Sequence, residues 1–174
     1  MGGSGYVSGG GSFYGGASNV KELEDVAKKE LQKETPTTRR KVFVSFRHTD
    51  KKMIDFLRGQ AKNEGSELDF IDMSLKVPFN SENAEYIKRG IRARIDQSSV
   101  TLVAVSEDTH KSDWVNWEVE ESLKRGKGVV VVNISKNNNV KMPAAVESNR
   151  DKIKVVAWKH KDIMDAVDEA AENR

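Results

Sequence analysis

Apolar residues along this chain fall into two alternating rhythms. Short runs, namely Val42-Phe43-Val44-Ser45-Phe46, Leu68 to Ile71, Val100 to Val105, Val129 to Ile134 and Ile153 to Trp158, are separated by stretches in which apolar positions recur every three or four residues. Runs of that length fit strands buried on both faces, and the intervening period fits helices with one apolar stripe. Met53, Ile54, Leu57 and Ala61 mark one helical face that ends at Gly65. Ala84, Ile87, Ile91 and Ile95 mark a second, with Ser81 as its cap and Arg89, Arg92 and Arg94 as a solvated face. A third helix is expected from Asp113 to Arg125, stopping at Gly126, and Ile163, Met164, Val167 and Ala171 give a last one. Strand and helix alternate throughout, which predicts parallel strands joined by helical crossovers. The expected fold is α/β, a flavodoxin-like five-stranded parallel sheet with helices on both faces.

The rhythm is different before residue 39. Residues 1–18 carry no charge, hold eight of the thirteen glycines, and interleave Tyr6, Phe13 and Tyr14 with serine. Such a segment cannot bury a core and reads as a flexible tail, with spaced aromatics that offer a way to pack against neighbouring subunits. Residues 19–38 read as an N-terminal helix and linker: Val20, Leu23, Val26 and Leu31 lie near helical spacing after a capping Asn19, and Pro36 ends the pattern. The main domain is expected over residues 39–174.

Composition narrows the function classes. Lysine and arginine total 29 against 27 acidic residues, and a net charge of +2 gives no electrostatic footprint for nucleic acid. Cysteine is absent, so disulfides, thiolate catalysis and cysteine metal sites are out together. No apolar run approaches the roughly 18 to 20 residues that span a bilayer, the N-terminus lacks the order of a signal peptide, and Tyr6 stands where a myristoylation motif wants Ser or Thr. A cytoplasmic protein is the simplest expectation. His48, His110 and His160 have no metal-ligand spacing, so no metal is expected.

Chemistry in an open α/β sheet belongs at the carboxyl ends of the strands. Three loops should converge there. The first carries Ser45, Phe46, Arg47, His48, Thr49 and Asp50; the second runs Asp72-Met73-Ser74-Leu75-Lys76-Val77-Pro78-Phe79-Asn80 and leaves Leu75, Val77 and Phe79 with no regular element to bury them. The third runs from Ser106 to Asp113 and leads into Trp114-Val115-Asn116-Trp117-Glu118. On a helical wheel Val115, Val119 and Ser122 face the core, and Glu118 sits about 60° from Val115, bordering the core without entering it. A helical glutamate is ordinarily a solvated charge, but this one follows Trp114 by one turn at the expected cleft. Glu118 is therefore the first candidate for catalysis.

Between Arg39 and Trp158 these residues resemble the TIR domains. Val42-Phe43-Val44-Ser45-Phe46-Arg47 is similar to the family's opening strand and loop, and Asp72 with Leu75-Lys76-Val77 to its second loop, the BB loop. Ile91, Ile95 and Ser98-Ser99 fall where the helix after that loop ends. Val105-Ser106, Ser112, Trp114 and Glu118 follow the family's strand, serine and Trp-x-x-x-Glu pattern in order. Pro78 stands where the family commonly has glycine, and an aromatic commonly found between Ser106 and Ser112 is missing. The overall flavour is similar to the bacterial TIR-like proteins of anti-phage defence, including the TIR subunit of Thoeris systems. That resemblance implies an NAD-cleaving enzyme, either a glycohydrolase or a cyclase, that makes a nucleotide signal for a downstream effector. NAD is then substrate and no cofactor is needed.

The resemblance also implies roles. Glu118 takes the catalytic position, while Ser45, Phe46, Arg47, Asp72, Ser74, Leu75, Lys76 and Trp114 are expected around the substrate. Phe46 offers a face for stacking, Arg47 a partner for the pyrophosphate, and Trp114 a wall that excludes water. Self-association through the loop 72–80, and through the N-terminal tail, would complete the site. The alternative is a non-catalytic TIR-like module that uses the same loops for homotypic docking. A phosphoacceptor receiver is disfavoured, because no strand ends in an aspartate beside an acidic pair.

Overall fold

A computed structural model of the chain describes residues 40–66, 68–72 and 78–174. Thr38–Arg174 form one compact unit. The tail and helix expected before residue 39 lie outside the described residues.

Five parallel strands form one sheet in the order β2-β1-β3-β4-β5. They are β1 (Arg40–Ser45), β2 (Leu68–Asp72), β3 (Val100–Val105), β4 (Gly128–Asn133) and β5 (Ile153–Ala157). This is the flavodoxin-like order, with its topological switch between β1 and β3. The helices are α1 (Lys51–Asn63), α2 (Ala84–Gln97), α3 (Asp113–Lys124), a single turn α4 (Ala144–Glu147) and α5 (His160–Glu172). Strand alternation assigns the layers. Val42 and Val44 of β1, with Leu102, Ala104, Val130 and Val132, face Ile54 and Leu57 of α1 and Ile163 and Val167 of α5. On the other side Val103, Val105, Val129 and Val131 meet Val115 and Val119 of α3, while Phe43 meets Ile91 and Ile95 of α2. The core thus lies on both faces of a sheet whose central strand β3 is buried along its whole length.

Turn chemistry ends the helices where the sequence predicts. Gly65 and Gly126 both adopt φ of 66°, a left-handed conformation that favours glycine. Around Gly126 the Lys127 N–H donates to the Ser122 carbonyl and the Gly126 N–H to the Leu123 carbonyl, closing α3 in a Schellman motif. Two expectations are corrected. Ser81 does not cap α2 through its side chain: the helix begins at Ala84 behind Asn83, and among the described residues the buried Ser81 hydroxyl has no hydrogen-bond partner. Arg92 does not belong to a solvated face, because it is half-buried between α2 and α3 and ion-paired to Glu121 at 3.4 Å and Glu85 at 3.9 Å. Among the described residues no helix is long and apolar enough to cross a membrane.

Candidate active site

The helix that carries Glu118 is set by local chemistry at its start. Ser112 accepts a hydrogen bond from the Val115 N–H at 3.3 Å, and Asp113 places a negative charge in the first turn, where the helix dipole favours it. Val115 and Val119 dock this helix on the sheet. Ser122 fixes its depth: the hydroxyl donates to the Glu118 carbonyl at 2.7 Å and lies 2.7 Å from the Thr101 hydroxyl on β3, with both side chains fully buried. A small polar pair at that point lets the helix approach the strand closely while satisfying both hydroxyls.

That approach carries Glu118 inside the protein. Its side chain is only 4% exposed, deeper than the bordering position expected from the wheel. The partner comes from 73 residues away, where the Ser45 hydroxyl donates to Glu118 Oε2 at 2.5 Å. Ser45 is itself buried at the end of β1, on the same sheet face as Phe43, because alternate residues of a strand share a face. Burial raises the Glu118 carboxyl to a pKa of about 8, with the Ser45 hydrogen bond opposing the rise. At neutral pH the uncharged form of this group is favoured.

One turn earlier, half-buried Trp114 meets the edge of Phe79 at a centroid distance of 4.8 Å and Trp117 at 5.9 Å. Lys88 lies over Phe79 at 4.3 Å and over Trp117 at 5.6 Å, and Arg92 over Trp117 at 5.3 Å. Both cations come from α2, so an aromatic and cationic seam joins α2, α3 and residue 79. Farther along α3, Glu121 is 8% exposed and clamped by Arg125 at 2.8 Å and Arg92 at 3.4 Å, while Arg125 also holds Asp96 at 2.6 Å. The same helix therefore holds two buried glutamates in opposite settings: Glu121 between guanidinium groups, Glu118 against a single hydroxyl.

The remaining expected site residues divide. Arg47 is half-buried and faces Asp108 at 3.6 Å, which joins the loop after β1 to the loop after β3. That joint is reinforced by the Ser106 hydroxyl donating to Asp50 at 2.8 Å and the Ser106 N–H donating to the buried Thr109 hydroxyl at 2.8 Å. Phe46 turns the other way: it packs against the core layer of α1 and α5, opposite to Ser45, as strand alternation requires. Its expected stacking place beside Glu118 is corrected accordingly. Asp72 ends β2 in register with Val44, which puts its backbone at the same sheet edge. Its side chain and residues Ser74, Leu75 and Lys76 lie outside the described residues.

Concavities of about 290 and 530 Å³ open at the opposite, amino-terminal edge of the sheet, one lined by Arg58, Leu68 and Phe70 and the other by Val129, Ile153 and Asn173. Neither contains the buried carboxyl, and topology favours the Glu118 edge for chemistry. Among the described residues no three His, Asp or Glu side chains gather as a metal site. Sequence reasoning missed Thr101, the arginine clamp on Glu121 and the Asp50–Ser106 joint. Of these, only the Glu121–Arg125 pair leaves a readable signal, its i, i+4 spacing.

The family profile described as Thoeris protein ThsB, TIR-like domain, matches residues 43–139. No curated protein matches the chain. Among solved structures, a CMP N-glycosidase from Clostridium botulinum is similar at 14% identity and a TM-score of 0.49, over 75% of this chain and 98% of that one. The TIR domain of a Toll-related receptor from Hydra magnipapillata is similar at 15% identity and a TM-score of 0.48, over 76% of this chain and 94% of that one. A 3-dehydroquinate dehydratase-like protein from Bifidobacterium longum is similar at 17% identity and a TM-score of 0.45, over 77% of this chain and 97% of that one.

Proposed function

We propose, on the premise that this chain belongs to the family of Thoeris ThsB TIR-like domains, that it cleaves the bond between nicotinamide and ribose in NAD. The observation that carries the reading is the Glu118 carboxyl, buried at the carboxyl edge of the sheet and held by the Ser45 hydroxyl. A solvated structural charge has no reason to occupy such a place, and strongly perturbed carboxyls concentrate at functional sites.

The chemistry needs one carboxylate. Breaking the glycosidic bond sends its electron pair to the pyridinium nitrogen, which becomes neutral, and leaves positive charge on the ribose. Nicotinamide departs without protonation. An oxygen of water, or of a hydroxyl on the same NAD or a second molecule, then bonds to the ribose carbon and releases its proton. Ionised Glu118 next to the ribose stabilises the oxocarbenium-like transition state more than the ground state, the requirement for acceleration. A resting, protonated Glu118 is converted by the substrate: a pyridinium cation brought against it favours the ionised form and expels the proton to solvent. Trp114 forms a wall one turn away. Arg47 would exchange Asp108 for the pyrophosphate, a trade of one exposed ion pair for a bidentate one.

In this reading the protein acts in the bacterial cytoplasm, in anti-phage immunity, and its nucleotide product signals to a downstream effector. Assembly through the loop 72–80, with the N-terminal tail, completes the site between subunits. A second reading, a non-catalytic docking module, is favoured by one observation: at 4% exposure the carboxyl is covered in the described conformation. The test is incubation of the full chain with NAD, as purified and under conditions that promote assembly, following nicotinamide and new nucleotides by mass spectrometry. Release that disappears in Glu118→Gln is expected; undiminished release in that variant overturns the assignment.

A further inference from the structure

We propose that Ser45 is the positioning residue of this site, its hydroxyl fixing the Glu118 carboxyl while the Thr101–Ser122 pair fixes the backbone that carries it. The inference deepens the catalytic reading of Glu118 and rests on it for its functional meaning. It stands on geometry. The Ser45 hydroxyl is the hydrogen-bond partner of the Glu118 carboxyl among the described residues, at 2.5 Å, and the two residues are 1% and 4% exposed. A side chain with three rotatable bonds in so enclosed a place needs a directional contact to select one arrangement, and packing alone supplies none.

The two anchors act on different bonds. Ser122 has only one hydroxyl hydrogen, and it is donated to the Glu118 carbonyl; Thr101 must therefore donate to Ser122. This chain of hydroxyls runs from β3 to the peptide of Glu118 and sets the height of the helix over the sheet. It does not touch the carboxyl. Ser45 approaches from β1, the neighbouring strand, and its hydroxyl donates to the carboxyl. Because a hydroxyl donor binds a carboxylate more strongly than a neutral acid, Ser45 also favours the ionised form that the reaction uses. Its loss leaves burial unopposed, which agrees with the opposing influences of burial and Ser45 on this group.

The experiment is a titration of the Glu118 carboxyl by carbon-13 NMR in the full chain, assigned by the signal lost in Glu118→Gln, and repeated in Ser45→Ala and Ser122→Ala. Ser45→Ala removes one oxygen and leaves the packing nearly unchanged. A lost hydrogen bond to a charged group predicts a midpoint raised by about one to two pH units in Ser45→Ala. Ser122→Ala should lower the unfolding midpoint in urea and, by loosening the helix and letting water nearer, leave the carboxyl midpoint in place or lower it, the direction opposite to Ser45→Ala. The proposal is overturned if Ser45→Ala titrates like the wild type, or if Ser122→Ala raises the midpoint as far, which would show that the rise does not depend on the Ser45 hydroxyl. Nicotinamide release against pH provides the second readout, with the rising limb of kcat/KM displaced upward in Ser45→Ala. A displaced NMR midpoint with no NAD cleavage by any sample would keep Ser45 as the positioning residue and sink the NAD reading instead.

Discussion

Glu118→Gln should make the protein more stable at alkaline pH while removing the proposed NAD cleavage, and the size of the gain follows from burial. The folded state holds the proton up to a pKa of about 8, whereas the unfolded chain releases it near the ordinary glutamate value of 4.5. Between those values the unfolded state binds fewer protons, so stability falls as pH rises. The contribution is fully present below pH 4.5 and lost as pH passes through about 8. Three and a half pH units at 1.36 kcal/mol each give roughly 5 kcal/mol as an upper bound, since local opening or water entry relieves part of it. Glutamine has nearly the same shape, its carbonyl oxygen can accept from Ser45, and it does not titrate. Near pH 5 the variant and the wild type should therefore differ by less than about 1 kcal/mol. Near pH 9 the variant should lead by several kcal/mol. Urea unfolding followed by tryptophan fluorescence suits the measurement, because Trp114 and Trp117 sit on the same helix. A stability difference that stays constant within about 0.5 kcal/mol from pH 5 to pH 9 would refute the buried, uncharged Glu118.

Other substitutions probe the scaffold around that group. A Cβ at Gly128 would lie 2.3 Å from the Ala170 carbonyl oxygen, so Gly128→Ala must push α5 off β4; a loss of about 1 to 3 kcal/mol in urea unfolding is expected. Glu121→Ala leaves Arg92 and Arg125 facing each other and should cost about 2 to 3 kcal/mol, discounted because both arginines are partly solvated and Arg125 keeps Asp96. Exposed Glu85→Ala, by contrast, should stay within about 0.5 kcal/mol of the wild type by the same assay. Trp114→Ala removes edge contacts to Phe79 and Trp117 and should cost about 3 kcal/mol. It should also bring the Glu118 titration down toward the ordinary carboxyl range, because a helical side chain covers the turn on its N-terminal side and Trp114 lies there.

The fold was readable because its signals are local. An unbroken Val100 to Val105 predicts the central strand to the residue, and both glycines at the ends of α1 and α3 mark left-handed stops. Where the signal was a competition between neighbours, reading failed: Ser81, Asn83 and the intervening turn all offer starts for α2, and the backbone bond from Ala84 to the Ser81 carbonyl makes a turn before the helix begins. The site was only half readable, for a physical reason. A wheel gives the angle of Glu118 around its helix, but depth depends on how closely that helix approaches the sheet, and Thr101 with Ser122 decides it. Neither the Ser45 partner, 73 residues away, nor the Arg92 clamp on Glu121 leaves a periodic trace. Phe46 shows the opposite limit: its neighbour Ser45 faces the site, so the strand's alternation already sends Phe46 to the other layer.

The contrast between the two glutamates of α3 bears on regulation of the proposed reaction. Glu121 is buried between two guanidinium partners, whereas burial strongly raises the pKa of Glu118. A carboxyl that is covered and mostly protonated at neutral pH cannot stabilise a cationic transition state until it loses the proton. Two events relieve that condition, arrival of a cation or exposure to water, and both require movement of what covers it. The described contacts around Trp114 are edge-on aromatic pairs and cations over rings, each worth about 0.5 to 2 kcal/mol, weak enough to be exchanged for contacts with a neighbouring subunit. If assembly works in this way, the assembled protein should show a Glu118 titration midpoint below that of the free chain and activity that rises with protein concentration. Equal midpoints, with activity strictly proportional to concentration, would place the control elsewhere.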